Sequence, residues 1–235
     1  MKQQLEEQGY LILDGVLSPL ERKAVADVIE VSIDVPGTAF RRQGDLFAIR
    51  RVLAVLPQLS ALLFTPGMMK AIAPYMDKGC FISKSIYFDK PVASNWFVPY
   101  HQDLTISVDN KTEVLGFGPW SRKDGYFAVQ PPVSLLEQQL TLRIHLDDTD
   151  ESNGALNVIP GSHRKGIYRP ETIDWSIEKE KVCKVPAGGL MLMRPLLLHA
   201  SSRSKEGKRR RVLHIELNHA VLPAGMAWAE KQSLP

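Results

Sequence analysis

His101 and Asp103, within Tyr100-His101-Gln102-Asp103, are the side chains in this sequence best suited to chemistry, together with a distant third, His199. Side chains two apart on an extended strand share a face, so His101 and Asp103 present an imidazole and a carboxylate together. Adding His199 gives two nitrogens and one oxygen on one side of a metal. That set leaves coordination positions open and suits a non-haem Fe(II) oxygenase site. A His-x-Asp pair alone occurs by chance in many chains; the setting of His199 strengthens it. His199 follows the apolar run Leu196-Leu197-Leu198, and Arg210 lies at the start of the alternating strand Val212–Leu217. An arginine fork matches a carboxylate through two parallel hydrogen bonds, which a lysine does not. Such a pair suits a dicarboxylate that chelates the metal at one end and meets the arginine at the other.

These residues need a scaffold, and the composition supplies an ordinary one. The chain has 235 residues, 44% hydrophobic and 23% charged, enough for one sizeable core. A net charge of +3 with a pI near 8.8 is too mildly basic to indicate nucleic acid without a localised patch. The first residues, Met1 to Glu7, lack the apolar core of a signal peptide, and no apolar run reaches the ~20 residues of a membrane helix. Cys80 and Cys183 sit in apolar, strand-like contexts and read as free thiols in a reducing, cytoplasmic setting.

Residues 2–9 read as a short helix and Gly9–Gly15 as a β-rich segment. Ser18-Pro19-Leu20-Glu21 is a helix start with serine cap, proline in the first turn and a returning glutamate. Leu20, Val25, Val28, Ile29 and Ile33 form its apolar stripe, and a second helical block runs from about Gln58 to Met76. From Lys78 the texture becomes β. Cys80–Phe88 reads as a strand with Ser83, Ser85 and Tyr87 on one face, and Trp96–Leu104 as the strand carrying His101 and Asp103. Residues 105–131, with Gly116, Gly118, Pro119, Gly125 and Pro131, read as a long lid-like loop. Trp120, Lys123, Asp124 and Tyr126 are its candidate substrate contacts. Leu140–Asp147 alternates, with Thr141, Arg143 and His145 on the polar face, which suits either a solvated surface or a cavity wall. Further short strands are separated by Gly/Pro turns.

Helices followed by many short strands predict one domain over 1–235. Residues 1–77 are largely helical, and 78–220 form a jelly-roll core with the helices on one face. His145, His163, His214 and His219 read as structural histidines. Lys205, Lys208 and Arg209 read as solvated, the basic run 208–211 being short for a nucleic-acid patch.

The sequence resembles the phytanoyl-CoA dioxygenase family of Fe(II)- and 2-oxoglutarate-dependent oxygenases. The resemblance rests on Tyr100–Asp103, Asn153–His163, His199-Ala200-Ser201, Arg210 and the opening Gly9–Ser18, which follow the family's order over most of the chain. It implies a double-stranded β-helix in which His101, Asp103 and His199 bind iron. It further implies that Arg210, supported by Ser201, binds the C5 carboxylate of 2-oxoglutarate. The expected activity is hydroxylation of a small molecule with O2, coupled to conversion of 2-oxoglutarate to succinate and CO2. Asp103, where related halogenases carry alanine or glycine, argues against halogenation. Arg143 departs from the pattern: it falls near a place where some members carry an aromatic residue beside the co-substrate. Facing inward, it would favour a carboxylate-bearing substrate or co-substrate. The alternative is a non-catalytic metal-binding jelly-roll module, against which the complete set of His101, Asp103, His199 and Arg210 weighs. Substrate identity and oligomeric state are left open.

Overall fold

The computed structural model describes the chain outside residues 33–39, 44–45, 91–96 and 205–207. Ile33, Trp96 and Lys205 therefore lie outside the described residues. The chain opens with α1 (Lys2–Gln8), β1 (Tyr10–Leu13) and α2 (Pro19–Ser32), then β2 (Phe40–Gln43) and β3 (Leu46–Arg50). Three short helices follow: α3 (Val52–Val55), α4 (Gln58–Leu63) and α5 (Pro66–Ile72). The β-rich part begins with β4 (Phe81–Lys90), β5 (Val98–His101), β6 (Ile106–Val108), β7 (Trp120–Lys123) and β8 (Tyr126–Val129). It continues through α6 (Val133–Leu136), β9 (Leu140–His145), β10 (Leu156–Val158), β11 (Lys181–Cys183) and β12 (Leu190–Met193). It closes with β13 (His199–Ser201), β14 (Arg210–Asn218) and β15 (Gln232–Ser233).

The start of α2 forms as its residues dictate. The Ser18 N–H donates to Glu21 Oε2 at 2.8 Å and the Glu21 N–H to Ser18 Oγ at 3.3 Å, a reciprocal capping box. Pro66 interrupts the next helical block by starting a new helix, capped by Thr65, whose hydroxyl accepts from the Met68 N–H. Within the expected stripe of α2, Val25 and Ile29 are buried in the core, whereas Leu20, in the first turn, is exposed.

Two antiparallel sheets face one another. The large sheet has the order β1-β12-β9-β14-β4-β3-β2, with β15 added to β4; the small one has the order β11-β10-β13-β5. This is a double-stranded β-helix, or jelly roll, with helices on one face. Alternation on the large sheet creates both layers. Leu142, Ile144, Leu190, Leu192, Leu213, Ile215 and Leu217 point outward and pack against Val25, Ile29, Leu59, Leu63, Met68 and Ile72 of the helices. Each such side chain fully buried contributes roughly 1.5–3 kcal/mol. The opposite face meets the small sheet, where Tyr10, Met191 and Met193 pack with Leu156, Val158, Cys183 and Leu197.

Residues 105–131 hold more order than their Gly/Pro content suggests. They contain β6, β7 and β8, paired in the order β6-β8-β7, and Ile106, Val108 and Val129 are buried with Leu135, Leu136 and Leu196. The strand carrying His101 is shorter than expected and ends at that residue. Asp103 lies beyond it, its N–H donating to Pro195 O at 2.9 Å instead of continuing the ladder to β13. Arg209 is not simply solvated. It pairs with the buried carboxylate of Asp89 at 2.5 Å and with Glu30 at 2.8 Å.

Candidate metal centre and cavity

His101 and His199 enter the space between the sheets from adjacent strands of the small sheet, as direct cross-strand partners. Asp103 joins them from the segment just past β5. One ligand atom from each of the three lies within 4.8 Å of the others. The His199 Nε2 and Asp103 Oδ2 are 4.0 Å apart.

Hydrogen bonding sets the chemistry of this cluster. His101 Nδ1 lies 2.9 Å from Pro99 O and His199 Nδ1 2.8 Å from Leu197 O. A carbonyl oxygen only accepts, so each Nδ1 carries the proton and each Nε2 keeps a free lone pair, as a metal ligand requires. Burial, with His101 and Arg143 nearby, pushes His199 down to about 4 despite Asp103 and the Leu197 carbonyl, so this imidazole is neutral near pH 7. Burial works to raise the Asp103 carboxyl, but His199, His214 and His101, with Lys84, outweigh it and hold the group at about 2. Its Oδ2 is buried with no hydrogen-bond partner. An ionised oxygen left without a donor and aimed at two imidazole lone pairs fits a divalent cation.

The cluster opens on a cavity of about 250 Å³, walled by Phe88, Val98 and Leu156 and carrying Arg143, Ser201, Arg210 and His214. This is just below the roughly 300–1,000 Å³ usual for small-molecule sites. Arg210 donates to the Gly154 carbonyl and, at 3.2 Å, to Ser201 Oγ; Ser201 Oγ donates to the same carbonyl at 2.9 Å. The turn makes this possible. Gly154 has φ +84°, and a Cβ there would stand 2.6 Å from the Ser202 carbonyl oxygen, so only glycine brings its carbonyl so close. Burial and the second guanidinium of Arg143 push Arg210 down to about 9. Its Nε is buried without a partner. Two buried cations with idle donors face a space that an anion would fill.

Arg143 lines this cavity, and Thr141 and His145 on the same side of β9 are buried, so that side is not a solvated surface. His214, expected to be structural, also lines it. His214 Nδ1 lies 3.2 Å from Arg143 Nη1, and its Nε2 lies 3.1 Å from Glu216 Oε1, which also takes Lys84 Nζ at 2.8 Å. Lys84 in turn donates to Thr105 O at 2.9 Å, close behind Asp103. Since Arg143 can only donate, His214 must accept at Nδ1 and hold its proton at Nε2. Period-two spacing from Arg210 through Val212 to His214 is the signal that places His214 on the cavity face. Gln102, unremarked between two ligands, is buried on the other side of the segment. Its amide donates to Gly166 O and Leu196 O and accepts from the Tyr168 N–H, tying three segments together behind the ligands.

Trp120, Lys123, Asp124 and Tyr126 are not among the residues lining this cavity. The β7–β8 pairing places them apart from it: Trp120 packs edge-on against Phe127, and Tyr126 accepts from Arg50 at 3.3 Å. A second cavity, of about 220 Å³, adjoins His101 on the side of Tyr168 and Arg169.

Three comparisons bear on this arrangement. The family model described as phytanoyl-CoA dioxygenase matches residues 5–212. The L-proline trans-4-hydroxylase of Streptomyces griseoviridis is 28% identical over 52% of this chain and 48% of its own length, so the match spans about half of that relative. The structure of EctD from S. alaskensis with 2-oxoglutarate and 5-hydroxyectoine superposes with a TM-score of 0.71 at 17% identity, covering 92% of this chain and 74% of the other. SnoK, a non-heme alpha ketoglutarate dependent carbocyclase from nogalamycin biosynthesis, gives 0.67 at 18% identity, covering 93% and 83%. At these identities the two structures share the fold.

Proposed function

The chain belongs to the phytanoyl-CoA dioxygenase family, and from that premise we propose that it is a non-haem Fe(II)- and 2-oxoglutarate-dependent dioxygenase that hydroxylates a small molecule. One observation carries the reading: the His101–Asp103–His199 cluster and the buried Arg210 open on the same cavity. When bound there, Fe(II) with 2-oxoglutarate and O2 would supply the oxidising power for hydroxylation, with 2-oxoglutarate converted to succinate and CO2.

His101 Nε2, His199 Nε2 and an Asp103 oxygen would hold the metal from one side, leaving the cavity side free. The Nδ1 bonds to Pro99 and Leu197 keep both rings in the ligating tautomer. Arg210, steadied by Gly154 and Ser201, would take the far carboxylate of 2-oxoglutarate. Phe88, Val98 and Leu156 would exclude water and leave the substrate to be oriented by Arg143 and His214. This polar machinery also disfavours the non-catalytic module, which has no use for a buried arginine without a counter-charge.

Among the described residues no helix is long and apolar enough to cross a membrane, and both cysteines are free. Free thiols fit a reducing, cytoplasmic setting.

The test is succinate release by protein loaded with Fe(II) and 2-oxoglutarate under air. Release that requires both, and that is lost in His199→Ala, supports the oxygenase. An iron-loaded protein that binds no 2-oxoglutarate contradicts it.

A further inference from the structure

Arg143 has no evident task in holding the metal or the far end of 2-oxoglutarate, yet it is only 7% exposed and opens on the cavity. One nitrogen, Nη1, donates to His214 Nδ1 at 3.2 Å, while its Nε is buried without a partner. The nearby carboxylate of Glu216 does not neutralise it, because Glu216 is held by Lys84 and by His214 Nε2. His214 itself must be neutral to accept from Arg143.

The charges that line the cavity then leave one cation over. Among the described residues lining it, the charged groups are Asp103, Arg143 and Arg210. A divalent metal is offset in part by Asp103, and a dicarboxylate offsets the remainder together with Arg210. Arg143 stays uncompensated in a buried site, which is costly unless an anion accompanies it. Its backbone lies opposite His214 in the β9–β14 ladder, four residues along β14 from Arg210. At ~3.3 Å per residue the two arginines are anchored on the order of 13 Å apart. The guanidinium groups thus enter one cavity from two separate anchor points, near enough for Arg143 to push Arg210 down.

Resting on the oxygenase reading, we propose that Arg143, aligned by His214 and Glu216, binds the carboxylate of the substrate. The substrate class is then small carboxylic acids, with the carboxylate at Arg143 and the carbon to be oxidised toward the His101–Asp103–His199 cluster.

The probe is acetate, the smallest carboxylate with a methyl reporter, with acetamide as its neutral counterpart. Saturation-transfer NMR is recorded anaerobically on full-length protein holding Zn(II) in place of iron and saturated with 2-oxoglutarate. Acetate should bind the wild type and acetamide should not. Arg143→Met should weaken acetate at least about 30-fold, the lower end for losing one partner of a buried charge pair, and change 2-oxoglutarate affinity far less than Arg210→Met does. Arg143→Lys, which keeps the cation if the methionine variant does not fold, should retain part of the acetate binding. Absent acetate binding, equal binding of acetamide, or acetate binding that survives Arg143→Met overturns the inference. So does a loss of 2-oxoglutarate affinity in Arg143→Met as large as in Arg210→Met, since Arg143 would then serve the co-substrate. In each of these cases the oxygenase reading stands. A wild type that binds no 2-oxoglutarate removes that reading itself, and the inference with it.

Discussion

His101 and His199 stand opposite each other across the β5–β13 ladder, with ring centroids 4.2 Å apart and each Nδ1 bonded to the carbonyl two residues earlier. The repeated local bond turns both Nε2 atoms toward one point, so the pairing of two strands creates two of the three ligands of the metal centre. Asp103 completes it because the chain leaves the ladder at His101 and is caught by Pro195 O. The ligands are thus held by backbone, and the cavity they face is furnished by the large sheet.

Arg210→Met should raise the 2-oxoglutarate Kd at least about 30-fold, since it removes one partner of a buried, charge-assisted pair. Ser201→Ala removes one hydrogen bond from Arg210 and one to the Gly154 carbonyl but leaves the cation in place, and should cost only about 1.4 kcal/mol, roughly a tenfold change. Anaerobic calorimetry on the metal-loaded protein measures both. An unchanged Kd in Arg210→Met would mean that Arg210 does not carry the carboxylate.

Gln102→Ala should weaken metal binding about tenfold and lower stability by roughly 1–3 kcal/mol, although Gln102 touches no ligand atom. Its loss leaves the Gly166 and Leu196 carbonyls and the Tyr168 N–H without their buried partner, behind the two ligands that flank it. Metal titration with thermal unfolding reads both quantities. A stability loss with unchanged metal affinity would make Gln102 a purely structural tie.

The metal-free protein should lose stability as pH falls below about 6.5. His145 is buried, bonded through Nδ1 to Thr149 Oγ1 at 2.8 Å, and held well below its ordinary value by burial and by Arg143 and Arg210. Below the unfolded value the unfolded chain takes up a proton that the folded chain refuses, so folding stability drops as pH decreases. The slope approaches about 1.4 kcal/mol per pH unit for each such group. His199 adds to the loss until pH reaches about 4. Denaturant titrations between pH 7.5 and 5 should show a flatter dependence in His145→Asn; an unchanged slope would rule out His145 as a source.

Spacing made the ligand set readable, because His101 and Asp103 lie two residues apart and the surroundings of His199 are distinctive. The faces of β9 were readable as well, alternation being a local property. What alternation could not say was which side is wet: Arg143 becomes a cavity residue only when the small sheet covers it. His214 was hidden for the same reason. Its histidine type fits many settings, and its role comes from standing beside Arg143 in the ladder. The strands β7 and β8 were obscured by flanking glycines and by the polar run Ser121-Arg122-Lys123-Asp124, so Trp120 and Tyr126 looked like free loop residues. Arg209 finds Asp89 far along the chain, a pairing set by tertiary structure alone.

The most direct test of the central claim is anaerobic titration with Fe(II) and then 2-oxoglutarate, followed by visible absorption. A weak metal-to-ligand charge-transfer band should appear that requires both components, disappears in His199→Ala and needs far more 2-oxoglutarate in Arg210→Met. Stoichiometric iron binding with no band at any 2-oxoglutarate concentration would contradict that claim.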